Sequence, residues 1–280
     1  MPTRLPRRRL PDLVIDDPDA AAAYILAVGE HGLMAPFYLF HGANISEVIR
    51  PGDTVVDLGC GAATQLAMVA RLNPLSNFIG VDVSQPMLAQ AQDLISREGL
   101  NNVTVRQGDI SDLSMLADAS VDAVVSTMAL HQLPDSACLA RTYAVVARIL
   151  KADGGIYMAD FAHLKTQHAI DAVGNRHADR QPKLFTEGYL NALAAAFYLD
   201  DFRTAARPLL QRATLTATAP LALMVALKSP PRRGDDPALR ASLAEMRRNL
   251  PDWQGADLAD LVRGFRRNGM RCALLAQASG

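Results

Sequence analysis

Cysteine, aromatic side chains and net charge are all scarce in this chain. Three cysteines (Cys60, Cys138 and Cys272) are spread over 280 residues. They are too few and too scattered for a disulfide framework or a zinc-ligand cluster, and a reducing compartment fits them better. Net charge is −1, from 28 basic and 29 acidic residues, which argues against a surface built throughout to hold nucleic acid. Aromatics are 5% of the residues, and none is interleaved with the basic cluster Arg7 to Arg9 in the way that nucleic-acid binding favours. No apolar run approaches the roughly 18 residues of a membrane helix; Leu221 to Leu227 has the length of a strand. The basic start, Met1 to Arg9, is followed by no apolar stretch of the secretory kind. A cytoplasmic protein is expected.

Half of the residues are hydrophobic, enough to bury a core. Three zones differ in composition: 1–50, 51–228 and 229–280. The first is Ala-rich and carries Tyr24, His31, Phe37, Tyr38, Phe40 and His41; it reads as a helical N-terminal cap. The second alternates strands and helices. Strands are expected over 54–58, 77–83, 103–107, 121–127 and 156–160, with helices over 64–72, 87–98 and 137–150 between them. Such alternation implies an α/β fold, a doubly wound parallel sheet with helices on both faces. The segment 161–183 reads as an irregular insertion. A helix over 186–196 and β-like segments over 201–206 and 215–227 follow. The third zone, a helical C-terminal extension, suggests two helices near 237–249 and 256–268; from 230 onward it holds nine arginines against six acids. A solvated hairpin is the simpler reading of that tail, and a binding role the competing one.

The informative run is Asp57-Leu-Gly-Cys-Gly-Ala-Ala, which ends the first strand and opens a helix. Gly59 and Gly61 permit a tight turn and close backbone approach to a ligand, and the helix start can hold an anionic group. Asp82 ends the second strand, 21 residues after Gly61, where an acid can accept ribose hydroxyls. Asp109 and Ile110 end the third, where an acid can take an exocyclic amine and an apolar side chain can cover a flat ring. A dinucleotide fits less well, because Thr64 stands where the third glycine of Gly-x-Gly-x-x-Gly should be. A carboxylate at Asp57 also suits an ammonium better than a pyrophosphate. A nucleoside bearing an amino acid satisfies every position.

These segments resemble class I S-adenosylmethionine-dependent methyltransferases of the small-molecule type. Val55-Val-Asp-Leu-Gly-Cys-Gly is similar to their first motif, and Ile79-Gly-Val-Asp-Val-Ser with Met87-Leu to their second. Gln107-Gly-Asp-Ile is similar to the third, and Ala129-Leu-His131-x-Leu133-x-Asp135 to the fourth. Leu150-Lys-Ala-Asp-Gly-Gly resembles the turn before their fifth strand. Ala63 departs from the pattern, standing where the family often has a third glycine. The resemblance covers about 50–160. It implies a Rossmann-like, seven-stranded, mainly parallel sheet with an antiparallel last strand. It implies S-adenosylmethionine as cofactor, touched by Asp57, Gly59, Gly61, Asp82, Val83, Met87, Asp109, Ile110 and Thr127. No metal is expected.

Methyl transfer from a sulfonium needs alignment above all, and sometimes proton removal. The sequence lacks an Asn-Pro-Pro-Tyr type of motif after the fourth strand, which counts against adenine or guanine amines as acceptors. Cys138 follows an alanine on a helix and does not suit carbon-5 pyrimidine chemistry. His131 is the best-placed base, and His163 a second; a strand-capping or packing histidine is the competing reading of His131. Tyr38, His131 and His163 are candidates for the acceptor pocket, while His168 and His177 read as solvated loop residues. Expected is methylation of a small-molecule oxygen, nitrogen or carbon. RNA or protein methylation, or a non-catalytic cofactor-binding partner, are the alternatives. No membrane partner is expected, nucleic acid is disfavoured, and a homodimer is compatible with the sequence.

Overall fold

The computed structural model describes residues 5–10, 27–29 and 31–276. Seven strands form one sheet in the order β3-β2-β1-β4-β5-β7-β6. They are β1 (Thr54–Leu58), β2 (Asn77–Asp82), β3 (Val103–Gln107), β4 (Val121–Thr127), β5 (Leu150–Phe161), β6 (Thr214–Ala217) and β7 (Met224–Lys228). Pairings from β3 across to β5 are parallel, and β7 runs antiparallel to both β5 and β6. The last strand is therefore the reversed one. Chain order turns back between β1 and β4, the point where open α/β sheets leave a crevice at the carboxyl ends of their strands.

Alternate residues of the central strands feed two cores. Val55, Ala123, Val125, Tyr157 and Ala159 face one; Val56, Val124, Ile156 and Met158 face the other. Strands covered on both faces carry apolar side chains at consecutive positions. The first core is closed by α1 (Ala35–Val48), α2 (Thr64–Leu72) and α9 (Asp252–Arg267). Phe40 of α1 stacks on Phe265 of α9 with ring centroids 5.3 Å apart. In the same layer Lys228 Nζ lies 2.5 Å from Glu47 Oε2 and 2.7 Å from Asn44 Oδ1. Glu47 Oε1 in turn accepts the Ala273 amide at 2.5 Å. The C-terminal extension, which includes α8 (Pro237–Arg248), thus shares a buried polar network with α1 and β7. The simple solvated hairpin does not hold.

The remaining helices are α3 (Gln85–Arg97), α4 (Ser136–Ile149), α5 (Gln167–Gly174), α6 (Lys183–Ala195) and α7 (Leu199–Ala205). Three local expectations need correction. The segment 201–206 is helical, not β-like. Asp201 Oδ2 accepts the Tyr198 amide at 3.1 Å to cap that turn, and Phe202 and Ala205 bury the i, i+3 face. The 161–183 segment is not wholly irregular, because Thr166 caps α5 by accepting the Ala169 amide at 3.1 Å. Helix α6 starts at Lys183 rather than 186, and the Thr186 hydroxyl donates back to the Pro182 carbonyl instead of acting as the cap.

Candidate active site at the carboxyl rim

The turn after β1 gathers the first group of candidate residues. Gly59 has φ +75°, and a Cβ there would fall 2.4 Å from Ala129 Cβ, so glycine lets this turn meet the end of β4. Gly61, at φ +54°, faces open space. Its amide donates to Asp82 Oδ2 at 2.8 Å, while Ser84 N donates to Oδ1 of the same carboxylate at 2.9 Å. Asp82 therefore ties the end of β2 to the glycine turn. Ala63 adopts φ +60°, a left-handed conformation that glycine takes up more readily.

Asp57 sits at the centre of this cradle, 8% exposed, and none of the described residues gives its carboxylate a hydrogen bond. Burial, reinforced by the neighbouring Asp82 carboxylate, pushes its pKa up to about 7. A buried carboxyl beside a second acid and without a donor calls for a cation. A ligand with a positively charged head fits these residues; a pyrophosphate does not. Along the rim, Val83 is 70% exposed, an apolar side chain held out beside Asp82. Asp109 accepts the Ser111 amide through Oδ1 at 2.8 Å, and Ile110 is buried behind it. Met87 lies in the first turn of α3, its amide bonded to the Ser84 hydroxyl. Thr127, which ends β4, donates to Gln65 Oε1 at 2.7 Å. Cys60 packs beneath the turn, its Sγ 2.7 Å from where a Gly80 Cβ would be, and burial raises its thiol pKa.

His131 lies in a 3-10 turn (Leu130–Gln132) beyond β4. Its Nδ1 is 2.8 Å from Asp160 Oδ1, and its backbone amide donates to Asp160 Oδ2 at 3.0 Å. Asp160 is fully buried near the end of β5 and also accepts the Phe161 amide at 2.6 Å. The turn is held from outside by Arg7, whose guanidinium donates to the carbonyls of His131, Leu133, Pro134 and Ala195 at 2.6–2.9 Å. It also stacks 3.8 Å over the Phe197 ring.

From His131 a row of rings leads outward. Phe161 lies 5.6 Å from the His131 ring, and Tyr189 lies 5.5 Å from Phe161, centroid to centroid. Tyr189 then lines a cavity of about 510 Å³ with Phe37, Phe185, Trp253, Leu223 and Leu261. Polar groups collect on another part of its wall. His177 Nε2 lies 2.8 Å from Asp257 Oδ2, and Arg176 pairs with Asp257 at 3.3 Å and Asp260 at 2.9 Å. His177 also packs on Trp253 at 4.7 Å. It is thus not a solvated loop residue. Burial raises the Tyr189 pKa, so the phenol keeps its proton.

The structure places other candidates elsewhere. His163 is buried against Tyr198 at 4.7 Å, and its Nδ1 bonds to the Leu164 carbonyl at 2.8 Å. Tyr38, on α1, is buried in the first core. His41 is buried too, with Nδ1 2.8 Å from the Tyr157 hydroxyl, and burial lowers its pKa to about 3, so it is neutral. His31 is exposed. Tyr24 lies outside the described residues. No group of three or more potential metal ligands comes together among the described residues.

Comparison with known proteins identifies a family. Residues 49–190, just over half of the chain, match a family model described as a methyltransferase domain. The chain belongs to that methyltransferase family. Its sheet, parallel from β3 to β5 with β7 reversed, has the Rossmann-like arrangement of a methyltransferase fold. The chain is 35% identical over 108 residues to nocamycin O-methyltransferase of Saccharothrix syringae, a match covering 38% of this chain and 37% of that protein. It is 42% identical over 86 residues to trans-aconitate 2-methyltransferase of Deinococcus radiodurans, covering 31% and 30%. Over 77 residues it is 38% identical to tRNA (guanine-N(7)-)-methyltransferase of Nocardia farcinica, covering 27% and 29%. The chain thus spans about a third of the length of these curated relatives. Among solved structures, the plantazolicin methyltransferase BpumL, in complex with a monoazolic desmethylPZN analog and SAH, shares the fold. The TM-score is 0.57 at 15% identity, over 85% of this chain and 87% of that one.

Two groups at this site were not singled out in the sequence. Asp160 reads as the last residue of a strand, and nothing local says that its carboxylate turns toward His131. Arg7 reads as part of a basic cluster, whereas its partners are 124 to 191 residues away.

Proposed function

We propose that this chain transfers a methyl group from S-adenosylmethionine to a small molecule held at the carboxyl rim beside His131, next to the cavity between α1, α5, α6 and α9. The single observation that carries the reading is the buried Asp57 carboxylate, without a partner among the described residues, beside the open backbone at Gly61. The cofactor supplies an activated methyl on a sulfonium, with a neutral thioether as leaving group.

Asp57 holds the ammonium of the cofactor's amino-acid end, and the amides at the start of α2 take its carboxylate. Asp82, already oriented by the Gly61 and Ser84 amides, has lone pairs left for the ribose hydroxyls. Val83 and Ile110 cover the adenine faces, Asp109 accepts its exocyclic amine, and Met87 and Thr127 complete the wall. His131 takes a proton from the acceptor through Nε2. Asp160 fixes this role, because Nδ1–H donating to the carboxylate leaves the lone pair on Nε2. His163, with Nδ1 bound to a backbone carbonyl, is the weaker candidate.

A small-molecule acceptor is supported by the cavity itself. Its volume of about 510 Å³ falls in the range of small-ligand sites, and aromatic walls with a few polar groups are their usual lining. Incubation with methyl-labelled S-adenosylmethionine and a panel of small phenols, amines and carboxylic acids tests the reading. Label should pass to at least one of these compounds. Label entering only RNA or protein would remove the small-molecule assignment while leaving the cofactor.

A further inference from the structure

The basic C-terminal extension has one feature that methyl transfer does not use. Helix α9 walls the acceptor cavity with Asp257, Asp260, Leu261 and Gly264. With other side chains, among them Leu258, Val262 and Phe265, it lines a second groove of about 640 Å³, bounded also by α1 and the segment 270–276. The groove's floor is apolar and buried: Leu258, Phe265, Met270 and Leu275 belong to the first core. Four arginines line it (Arg247, Arg263, Arg266 and Arg271), and no acid among the described residues does. Arg263 pairs with Asp260 at 2.5 Å. The other three guanidinium groups make no ion pair or side-chain hydrogen bond among the described residues, although acids elsewhere on the surface are paired with arginine repeatedly.

Unneutralised guanidinium groups around an apolar trough favour a ligand with an anionic head and an apolar body. The trough excludes water from the body, and the planar forks bind carboxylate bidentately. The volume suits a small molecule. The lining follows α9 from Leu258 to Arg266, about 12 Å along the helix axis, so an elongated body fits better than a compact one. We propose that this groove is a second ligand site, separate from the methyl-transfer rim, that takes an elongated apolar carboxylate such as a medium-chain acyl anion. A nucleic acid would use the arginines but not the buried floor.

Dodecanoate, below its micelle concentration, is the probe, with dodecan-1-ol as its uncharged counterpart and calorimetry as the readout on the full chain. Dodecanoate should bind saturably, and dodecan-1-ol about tenfold or more weakly. A triple variant, Arg247→Gln with Arg266→Gln and Arg271→Gln, should lose about tenfold or more in dodecanoate affinity. Val262→Trp, which fills the trough and keeps the charges, should abolish binding. Affinity for the demethylated cofactor reports that each variant is folded and tests the rim independently. No saturable dodecanoate binding to the wild type overturns the proposal. So does equal binding of the alcohol, or full affinity in either variant.

Discussion

The imidazole of His131 and the carboxylate of Asp160 meet at 2.8 Å, and a second bond from the His131 amide to the same carboxylate fixes their relative orientation. Asp160 lies on β5 and His131 beyond β4, so the parallel pairing of Ser126 with Met158 and Thr127 with Ala159 brings them together. Replacing Asp160 by Asn keeps the shape but removes a strong acceptor. The Asn amide can force Nδ1 into the acceptor role and leave Nε2 protonated. Asp160→Asn should then cut turnover by about 10²–10⁴-fold, the range of lost base catalysis. Affinity for the cofactor product should stay within about threefold of wild type. Steady-state rates with an acceptor from the labelled panel, read beside calorimetry, check both halves. The same split is expected for His131→Ala.

Asp57 makes stability depend on pH in an unusual direction. Its pKa rises from 3.8 to about 7 on folding, so the folded chain binds the proton more tightly than the unfolded one. Its carboxylate therefore costs nothing below about pH 4. It destabilises the cofactor-free chain progressively as pH rises toward 7, by about 4 kcal/mol at most. Thermal unfolding of the cofactor-free protein between pH 4 and 8 should show this fall, and Asp57→Asn should flatten it. Cofactor affinity should move the opposite way, strengthening as pH rises through 7, because the ammonium needs the ionised form.

Arg7 joins the N-terminal strap to the turn that carries His131. Its four carbonyl partners and the Phe197 ring use the whole fork of the guanidinium, which burial makes less basic. Arg7→Ala should destabilise the fold by about 2–3 kcal/mol, visible as a lower urea midpoint. Arg7→Lys should recover little, since an ammonium cannot reach the four acceptors together.

The strand ends and turns of the proposed cofactor side are legible in the sequence because they are local. A β-branched strand, a glycine turn and an acid at each following strand end stand at short, regular intervals between Val55 and Ile110. Ala63 was legible as a departure from the family, but its left-handed backbone emerged only in three dimensions. The acceptor side was less legible because its parts come from distant segments. Trp253, Tyr189 and Phe37 look like ordinary core aromatics until α9, α6 and α1 enclose one cavity. His177 sits in a polar stretch, and only packing on Trp253 and Asp257 distinguishes it from a solvated loop histidine. The 201–206 segment misled because its helix is short and set by the pairing of Asp201 with the Tyr198 amide rather than by apolar period.

The central claim is that this rim holds S-adenosylmethionine through Asp57 and Asp82. Isothermal titration of the demethylated cofactor product into wild type, Asp82→Ala and Asp57→Asn measures it most directly, without any acceptor. Wild type should bind in the micromolar range. Asp82→Ala should lose about 2–4 kcal/mol, the worth of a charge-assisted pair to two hydroxyls, and Asp57→Asn should weaken binding as well. Unchanged affinity in both folded variants would contradict the assignment of the site, and NAD binding in place of the sulfonium cofactor would contradict the account as a whole.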